Sequence, residues 1–578
     1  MNFSGTTRLG RDIVEKNWHI KSVAPQSECL KLARILDIPL IIARLLLNRG
    51  ISSPEETRQF FASEPSSNGL HSPFLLKDMD IVVDRIKRAA RNKERVLIFG
   101  DYDVDGITSS ALLYDMLNRL GIDTENYIPH RLNEGYGLNS EIAEYAKLRG
   151  ISLIIAVDCG ITAYSEVEIL NHIGIDVIIV DHHEPIADEL PNALAIINPK
   201  RKGCSYPFKH LAAVGLVAKL VYALLGDITQ EVLDLSAIGT IADVVPLHGE
   251  NRVLVKAGLP GLSNTNNKGL AALMDITKIK GKPLSSFHIG FVLGPRINAS
   301  GRMGAADKAL SLFLSKDINE AYFIARELER YNQQRQRIQR EVVRQAMEIV
   351  EEEVDFKEHK VIVLSKEGWH KGVIGIAASK ITDKYYRPTI IISIKDGIGT
   401  ASARSIKGFH IHKALSMCSE YLEHFGGHEG AAGLTIKEDN IDIFRNMINK
   451  VADSMLPREN LVPSIVIDAC IRFSDINLRV AELIKNMEPF GEGNPVPVFC
   501  SKHILVKGRP RVLGKGTLKF WASDDNITFS VIGFGMADYL SIVSSGRPID
   551  IVYEVSIDDW NKPPAVQLIL KDLKYSKV

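Results

Sequence analysis

Between residues 96 and 199 short apolar, β-branched runs recur: "VLIFGD" (96–101), "SLIIAVDCG" (152–160), "DVIIVDHHE" (176–184) and "ALAIINP" (193–199). All but the last run into acid or imidazole. Helix-like segments such as "SSALLYDMLNRLG" and "YSEVEILNHIG" lie between the first three. Strands that are apolar on every residue need cover on both faces, and alternating helices supply it. The pattern therefore predicts a parallel sheet in an α/β domain. Such sheets bind ligands beyond the carboxyl ends of their strands, which is where the charged residues stand.

The 578 residues exceed one ordinary core; at about 150 residues per domain they suggest three or four. Residues 1–77 read as a helical segment, with a helix start in "ISSPEETRQFFA": Ser53 as N-cap, Pro54 at the first position, Glu56 three after the cap. The βα pattern occupies 78–316. From 317 to 354 there is no Gly or Pro; a helix through this segment spans roughly 55 Å. It is too polar to be buried all round, so 317–355 predicts a connecting helix between two lobes. A second α/β pattern, with "KVIVLSKEGWHKGVIGIAASKI", "PTIIISI" and "GAAGLTI", fills 356–458. Residues 459–578 read as short strands with Gly/Pro turns, a small β-barrel.

Lys+Arg and Asp+Glu both number 70, so the formal net charge is zero. Any polyanion site must then be a local patch. The six cysteines form no CxxC pair, which argues against a zinc ribbon or a disulfide framework and fits a reducing compartment. "MNFSGTTRLGRDIVEK" lacks the apolar core of a signal peptide. "HLAAVGLVAKLVYALLG" (210–226) contains Lys219 and reads as a buried helix rather than a span. These features predict a cytoplasmic protein with no membrane partner.

The densest chemistry is "FGDYDVDG". DxDxDG resembles an EF-hand loop, but with Asp101 at position 1, position 12 is Leu112, where a bidentate glutamate is required. The preceding segment is also a strand, not a helix. Asp158 ends the second run, Asp181, His182 and His183 end the third, and Asp243 sits in the apolar "IGTIADVVPL", where an unpaired carboxylate is costly. These groups cannot all stay charged in one small space without cations, so the set predicts two divalent metals. Carboxylates with an imidazole and no thiolate suit Mn²⁺ or Mg²⁺, and the imidazole tips the choice toward Mn²⁺. Paired metals serve in-line attack of a bound hydroxide on phosphorus.

Together "FGDYDVDG", "VDCG", "VDHHE" and "ADVVPL" resemble the four motifs of the DHH phosphoesterase superfamily. The likeness is strongest to its single-strand-specific DNA exonucleases. It continues through "GYGLN" (135–139), "GPRINASGRMG" (294–304), "GWHKGVIGIAASK" (368–380), "SARS" (402–405), "GGHEGAAG" (426–433) and "PFGEGNPVP" (489–497). The resemblance implies a multidomain α/β fold: a parallel-sheet DHH lobe at 78–316, a DHH-associated nucleic-acid-binding domain at 356–458, a long helix joining them, and a C-terminal OB-fold barrel at 459–578. It implies metal ligation by Asp103, Asp105, Asp158 (bridging), His182 and Asp243. Asp101 stands near a place that other members fill with histidine. By the same likeness His183 acts at the leaving oxygen, and Asp181 orients an imidazole.

For the strand, the resemblance makes Arg131, otherwise readable as a surface arginine, the candidate for the terminal 5′-phosphate. Arg296, Asn298 and Arg302 combine fork-shaped donors with glycines, suited to phosphate oxygens. Arg404, Ser405, Gly427 and His428 match the substrate-binding segments of the associated domain. Trp369 and His370 either meet a nucleotide or pack at a lobe interface. No acid lies between Glu492 and Asp524, while Lys502, Lys507, Arg509, Arg511, Lys515 and Lys519 precede Phe520 and Trp521. Basic residues interleaved with aromatics fit an OB-fold that tracks single strands. Most arginines of the connecting helix (Arg330, Arg335, Arg337, Arg340, Arg344) read as solvated.

The residues by themselves point to a phosphoester hydrolase with a polyanion groove; the resemblance implies two-metal hydrolysis of single-stranded DNA from its 5′ end, releasing 5′-mononucleotides, in recombination and repair. A helicase and a single-strand-binding protein are the partners the family implies. Two alternatives stay open: a phosphodiesterase for oligoribonucleotides or cyclic dinucleotides, and a non-catalytic DNA-binding scaffold.

Overall fold

The computed structural model describes residues 16–22, 25–62, 69–131, 134–135, 137–186, 189–559 and 562–577. Most of "MNFSGTTRLGRDIVEK", and Tyr136 of "GYGLN", lie outside them. The chain divides into two units: residues 63–461 with 491–494, and residues 1–62 with 462–490 and 495–578.

In the first unit the βα alternation becomes a five-stranded, wholly parallel sheet. Its strands are β1 (Arg95–Gly100), β2 (Asp123–Tyr127), β3 (Leu153–Val157), β4 (Asp176–Val180) and β5 (Ala195–Ile197), in the order β2-β1-β3-β4-β5. Every residue of β3 is buried. Leu153, Ile155 and Val157 face one core, while Ile154 and Ala156 face another. The continuous apolar run is thus a period-two strand with two dry faces. The edge strand β2, "DTENY", is polar and has no such signature. It is braced by Arg95 on Asp123 (3.0 Å) and by Arg149 on Glu125 (2.9 Å).

Helices α1 (Val104–Arg119), α2 (Ala213–Leu225) and α3 (Gln230–Ala242) build the larger core. The apolar segment 210–226 is α2, and its Lys219 is 1% exposed. The ammonium donates to the Glu250 carboxylate and to the His71 carbonyl (2.7 Å), and the Tyr206 hydroxyl donates to the same carboxylate (2.6 Å). A buried charge is tolerable only with such partners. Among the described residues no helix is long and apolar enough to cross a membrane. The segment "GPRINASGRMG" is helical: a π-helical turn, Ile289–Leu293, runs directly into α4 (Gly294–Arg302).

The glycine-free segment forms one 36-residue helix, α5 (Ile318–Glu353), capped by Asp317, whose carboxylate accepts from the amides of Asn319 and Glu320. Ala321, Ile324 and Leu328 join the core of the first lobe; Val342, Ala346 and Val350 join the core under the second. The second lobe holds β6 (Ile362–Glu367), α6 (Lys371–Tyr385), β7 (Thr389–Lys395), β8 (Ile398–Arg404), β9 (His424–Gly427) and β10 (Ala431–Lys437). Its sheet order is β9-β10-β8-β7-β6, parallel only between β6 and β7.

In the other unit five strands close a barrel: β11 (Phe499–Leu513), β12 (Thr517–Ser523), β13 (Thr528–Gly533), β14 (Ile549–Asp558) and β15 (Ala565–Tyr575). Neighbours run β11-β12-β13-β15-β14, and β14 returns to β11. The N-terminal helices are not a body by themselves. Leu32, Ile42, Leu45 and Leu46 share a core with Phe499, Phe520 and Tyr553 of the barrel. The expected cap is present, with Ser53 and Glu56 forming a reciprocal capping box. Cysteine spacing argued against disulfides, yet Cys470 and Cys500 are bonded. They are 30 residues apart but partners in register on neighbouring strands, a relation that spacing cannot reveal.

Candidate active site

The three aspartates of "DYDVDG" stand where β1 gives way to α1, and each meets a different part of the fold. Asp101 directly follows the strand and is 4% exposed. Asp103 caps α1, its carboxylate accepting from the amides of Asp105 (2.9 Å) and Gly106 (3.1 Å). Asp105 accepts from Ala213 (2.7 Å) and Val214 (2.9 Å) at the start of α2. Two helix N-termini thus stabilise neighbouring carboxylates. Glycine is required at 106 because a Cβ there would come within 2.7 Å of the Asp101 nitrogen. At 239 on α3 a Cβ would lie 2.9 Å from the Asp105 carboxylate.

The other strand ends complete the cluster. Asp158 follows β3 in the left-handed region (φ 61°), a strained place for a residue with a side chain and one typical of functional sites. Asp181 and His182 follow β4, and Asp243 caps the end of α3. Ligating atoms fall into three sets, each within 4.8 Å: Asp101, Asp103 and Asp158; Asp105, His182 and Asp243; Asp158, His182 and His183. Asp158 and His182 each belong to two of them. The His182 Nε2 lies 3.3 Å from Asp158 Oδ1 and 3.6 Å from Asp243 Oδ2.

This packing is electrostatically costly. Two like charges about 4 Å apart repel by about 4 kcal/mol at an effective dielectric of 20. Burial, then Asp103, pushes Asp105 up to about 7. Burial, then Asp105 and Asp103, pushes Asp243 up to about 9. Asp101 and Asp158 are raised chiefly by burial. His182 falls to about 3 through burial and its neighbour His183, so its imidazole is neutral, as a metal ligand must be. Asp101 Oδ1, His182 Nε2 and Asp243 Oδ2 are buried without a hydrogen-bond partner. The donor set is hard, because burial and Asp181 hold the adjacent Cys159 thiol far above its usual range. Buried, converging oxygen donors with one imidazole fit paired Mn²⁺ or Mg²⁺.

His183 has a different role. Its Nδ1 is 2.7 Å from Asp181 Oδ1, and Asp181 also accepts from the amides of His183 and Ile161 (both 3.0 Å). Burial works against the imidazolium, but the Asp181 hydrogen bond and charge outweigh it and raise His183 to about 9. Asp181 stays ionised: burial opposes this, and His183 more than compensates.

Beside the carboxylates lies a pocket of opposite sign. The Arg131 guanidinium sits 4.7 Å over the Tyr102 ring. Arg302 is lowered to about 10 by burial, then by Arg131, Arg335 and Arg404; Arg404 is lowered by burial and Arg131. Arg302 donates to the Gly372 carbonyl (3.2 Å), and Arg404 to Ser402 Oγ (3.1 Å) and the Ala403 carbonyl (2.7 Å). Asn298 lies half-buried on α4, four residues before Arg302 and so on the same face.

Other sequence candidates fall elsewhere. Arg296 is spent on Glu329 (2.6 Å) and the Val292 carbonyl (2.7 Å). Trp369 is buried, with Nε1 donating to Gln345 (2.9 Å), which leaves no face for a nucleotide. His370 caps α6, accepting from Gly372. Ser405 donates to the Phe409 carbonyl (2.6 Å). Gly427 (φ 141°) holds a tight hairpin, and exposed His428 accepts from Gly430. In the barrel unit Lys507, Arg509 and Arg511 are exposed on β11. Lys507 stands opposite Trp521, which is half exposed, while Phe520 is core. Sequence reasoning missed Tyr102, the α2 N-terminus and Arg335. Arg335 has no acid three or four residues away, unlike Arg344 with Glu341 and Glu348, but exposed Arg340 shares that weak signal.

Residues 95–240 match the model of the DHH family N-terminal domain, 358–454 the DHHA1 domain and 467–572 the RecJ OB domain. The single-stranded-DNA-specific exonuclease RecJ of Bacillus subtilis is 39% identical over 566 residues, 97% of this chain and 71% of that protein. The crystal structure of Thermus thermophilus RecJ in complex with Mn²⁺ matches with a TM-score of 0.83 at 29% identity, covering 97% of this chain and 80% of that one. Its complex with Mg²⁺ matches at 0.77 and 27%, covering 97% and 79%.

Proposed function

The chain belongs to the RecJ family of single-stranded-DNA-specific exonucleases, and on that premise we propose that it hydrolyses single strands from the 5′ end, one 5′-mononucleotide at a time. The observation that carries this reading is the convergence of five carboxylates and His182, from segments 142 positions apart in the chain (Asp101 to Asp243), at one end of a parallel sheet.

The enzyme is a metal-dependent hydrolase. Asp101, Asp103, Asp105, Asp158, His182 and Asp243 would hold two divalent cations. When bound, such a pair lowers the pKa of an attacking water and neutralises charge on the phosphate. The remaining work falls to side chains. Arg131, Arg302 and Arg404, with Arg335 behind them, bind the terminal 5′-phosphate through paired N–H donors. This sets the first internucleotide phosphate at the carboxylates. His183, oriented by Asp181 and protonated at neutral pH, gives its proton to the departing 3′-oxygen. Cleavage of that P–O bond frees a mononucleotide and leaves a new 5′-phosphate for the arginines. His428 and the tight turn at Gly427 offer a path for the strand along the second lobe. Lys507, Arg509, Arg511 and Trp521 suit backbone and base contacts on the barrel.

Recombination and repair in the cytoplasm is the setting this activity fits. A helicase to produce single strands and a single-strand-binding protein to present them are the partners it calls for. The test is digestion of 5′- and 3′-labelled single strands with and without Mn²⁺. Release of labelled mononucleotide from the 5′ end at once, and from the 3′ end only late, is expected; the reverse order would refute the polarity.

A further inference from the structure

The chain that follows Asp243 is held in an unusual shape. Val244 adopts φ 63°, a left-handed conformation that is a genuine outlier for a β-branched residue. Its side chain is 64% exposed, so little packing of its own keeps it there. Such strain persists only where the surroundings over-determine it. Part of the restraint comes from nearby in the chain: buried Asn251 donates to the carbonyls of Pro246 (3.1 Å) and His210, and Leu247 is buried in the larger core.

The rest comes from "GEGN" (491–494), inside the "PFGEGNPVP" motif, which has no part in the chemistry described above. These four residues belong to the first unit, while the chain on either side of them belongs to the other. Gly491 and Asn494 exchange both backbone hydrogen bonds (3.0 and 3.2 Å), closing a two-residue turn. Gly493 takes φ 70° within it, a conformation that glycine adopts at no steric cost. At the tip, the Glu492 carbonyl accepts from the Leu247 amide at 2.7 Å. The fit is close. A Cβ on Gly491 would come within 2.7 Å of Leu247 Cδ1, and one on Gly493 within 3.1 Å of Pro246 Cβ and 3.2 Å of His248 Cδ2. Leu247 has no room to step aside, because it is packed in the core.

We propose that the Gly491–Asn494 turn is a positioning element for one of the two cations: by clamping residues 245–248 it holds Val244 in its strained conformation and keeps Asp243 turned toward Asp105 and His182. The proposal rests on the metal-dependent nuclease reading and deepens it. Relaxation at Val244 rotates the peptide that joins it to Asp243 and carries the carboxylate with it. Asp243 groups with Asp105 and His182 within 4.8 Å, whereas Asp101, Asp103 and Asp158 form a set without it. Loosening the clamp therefore weakens one cation and spares the other, which a general loss of stability does not do. Residues that orient a ligand from behind commonly matter about 10- to 100-fold in metal affinity.

The test is a titration of the full chain with Mn²⁺ at one pH and without DNA, free Mn²⁺ being read by electron paramagnetic resonance. The parental protein should bind two equivalents. Gly491→Ala should weaken one of them about tenfold and leave the other within about twofold. Gly493→Ala, whose contacts are longer, should act in the same sense to a smaller degree, and it carries the test if the first variant does not fold. Adding Val244→Gly to Gly491→Ala removes the strain that the clamp opposes, and should bring the weakened site back to within about threefold of the parental value. On labelled single strands Gly491→Ala should need about tenfold more Mn²⁺ for half-maximal rate and reach a near-parental rate at saturation. Unchanged affinity at both sites would overturn the proposal. So would equal weakening of both with no recovery on Val244→Gly, which would make the turn a structural tether. If the parental protein binds two Mn²⁺ yet does not cut single strands, the nuclease reading fails, and the titration still decides for or against the turn.

Discussion

The carboxylate pocket and the arginine pocket beside it pose one electrostatic problem with opposite signs. In the first, burial and mutual repulsion raise the acids, Asp243 to about 9 and Asp105 to about 7. These groups have an escape, because taking up protons removes the repulsion. In the second, burial and neighbouring arginines lower Arg302 only to about 10, so guanidinium stays charged at any physiological pH. One pocket discharges itself when its ligand is gone, and the other cannot. The carboxylates are built for cations that arrive and compete with protons. The arginines are a standing demand for an anion.

Replacing Asp158 breaks the comparison most severely. Asp158→Asn should lower the Mn²⁺-dependent rate on labelled single strands by about 10³-fold or more, with an unchanged circular dichroism spectrum; digestion at the parental rate would discard the carboxylate pocket as the reaction centre. Next comes Arg302→Gln, which should cost about 10- to 100-fold in kcat/KM on a 5′-phosphorylated strand and much less on a 5′-hydroxyl strand. Equal losses on both would detach the arginines from the terminal phosphate.

The sharper test uses pH. An acid whose folded pKa is raised adds stability that is fully present below its unfolded value, near 4, and is lost as pH rises through the folded value. Chelator-treated protein should therefore melt at falling temperature from about pH 5 to about pH 9, the window set by Asp105 and Asp243. Mn²⁺ should flatten this slope, and its apparent affinity should climb with pH as protons are displaced. The discrimination between 5′-phosphate and 5′-hydroxyl should stay level over the same range. A melting temperature that ignores pH without metal would mean that the carboxylates are not strained. The smallest effect is expected in the barrel unit: Trp521→Ala should weaken strand binding by about 1 kcal/mol in a filter or anisotropy assay, since one half-exposed ring supplies one stack.

The ends of β1, β3 and β4 were legible because strands dry on both faces must be apolar throughout. A charge placed directly after such a run has one reason to be there. Strand β2 was not legible, since a sheet edge tolerates "DTENY" and hides its period. Arg296 and Trp369 look like binding residues in sequence, yet Glu329 and Gln345 claim them from α5. Such pairings depend on how a distant helix docks. The same applies to Arg335, which reads as one solvated charge among several until the fold turns it toward Arg302. The pairing of Cys470 with Cys500 and the sharing of one core by the N-terminal helices and the barrel are likewise long-range facts. Periodicity reports which face of an element is dry, not what dries it.

Helix α5 lends four buried side chains to the interior of one lobe and three to the interior of the other. Neither interior is complete without it. On heating, the lobes therefore cannot part company as separate melting units, because the rod that stiffens one is the rod that fills the other.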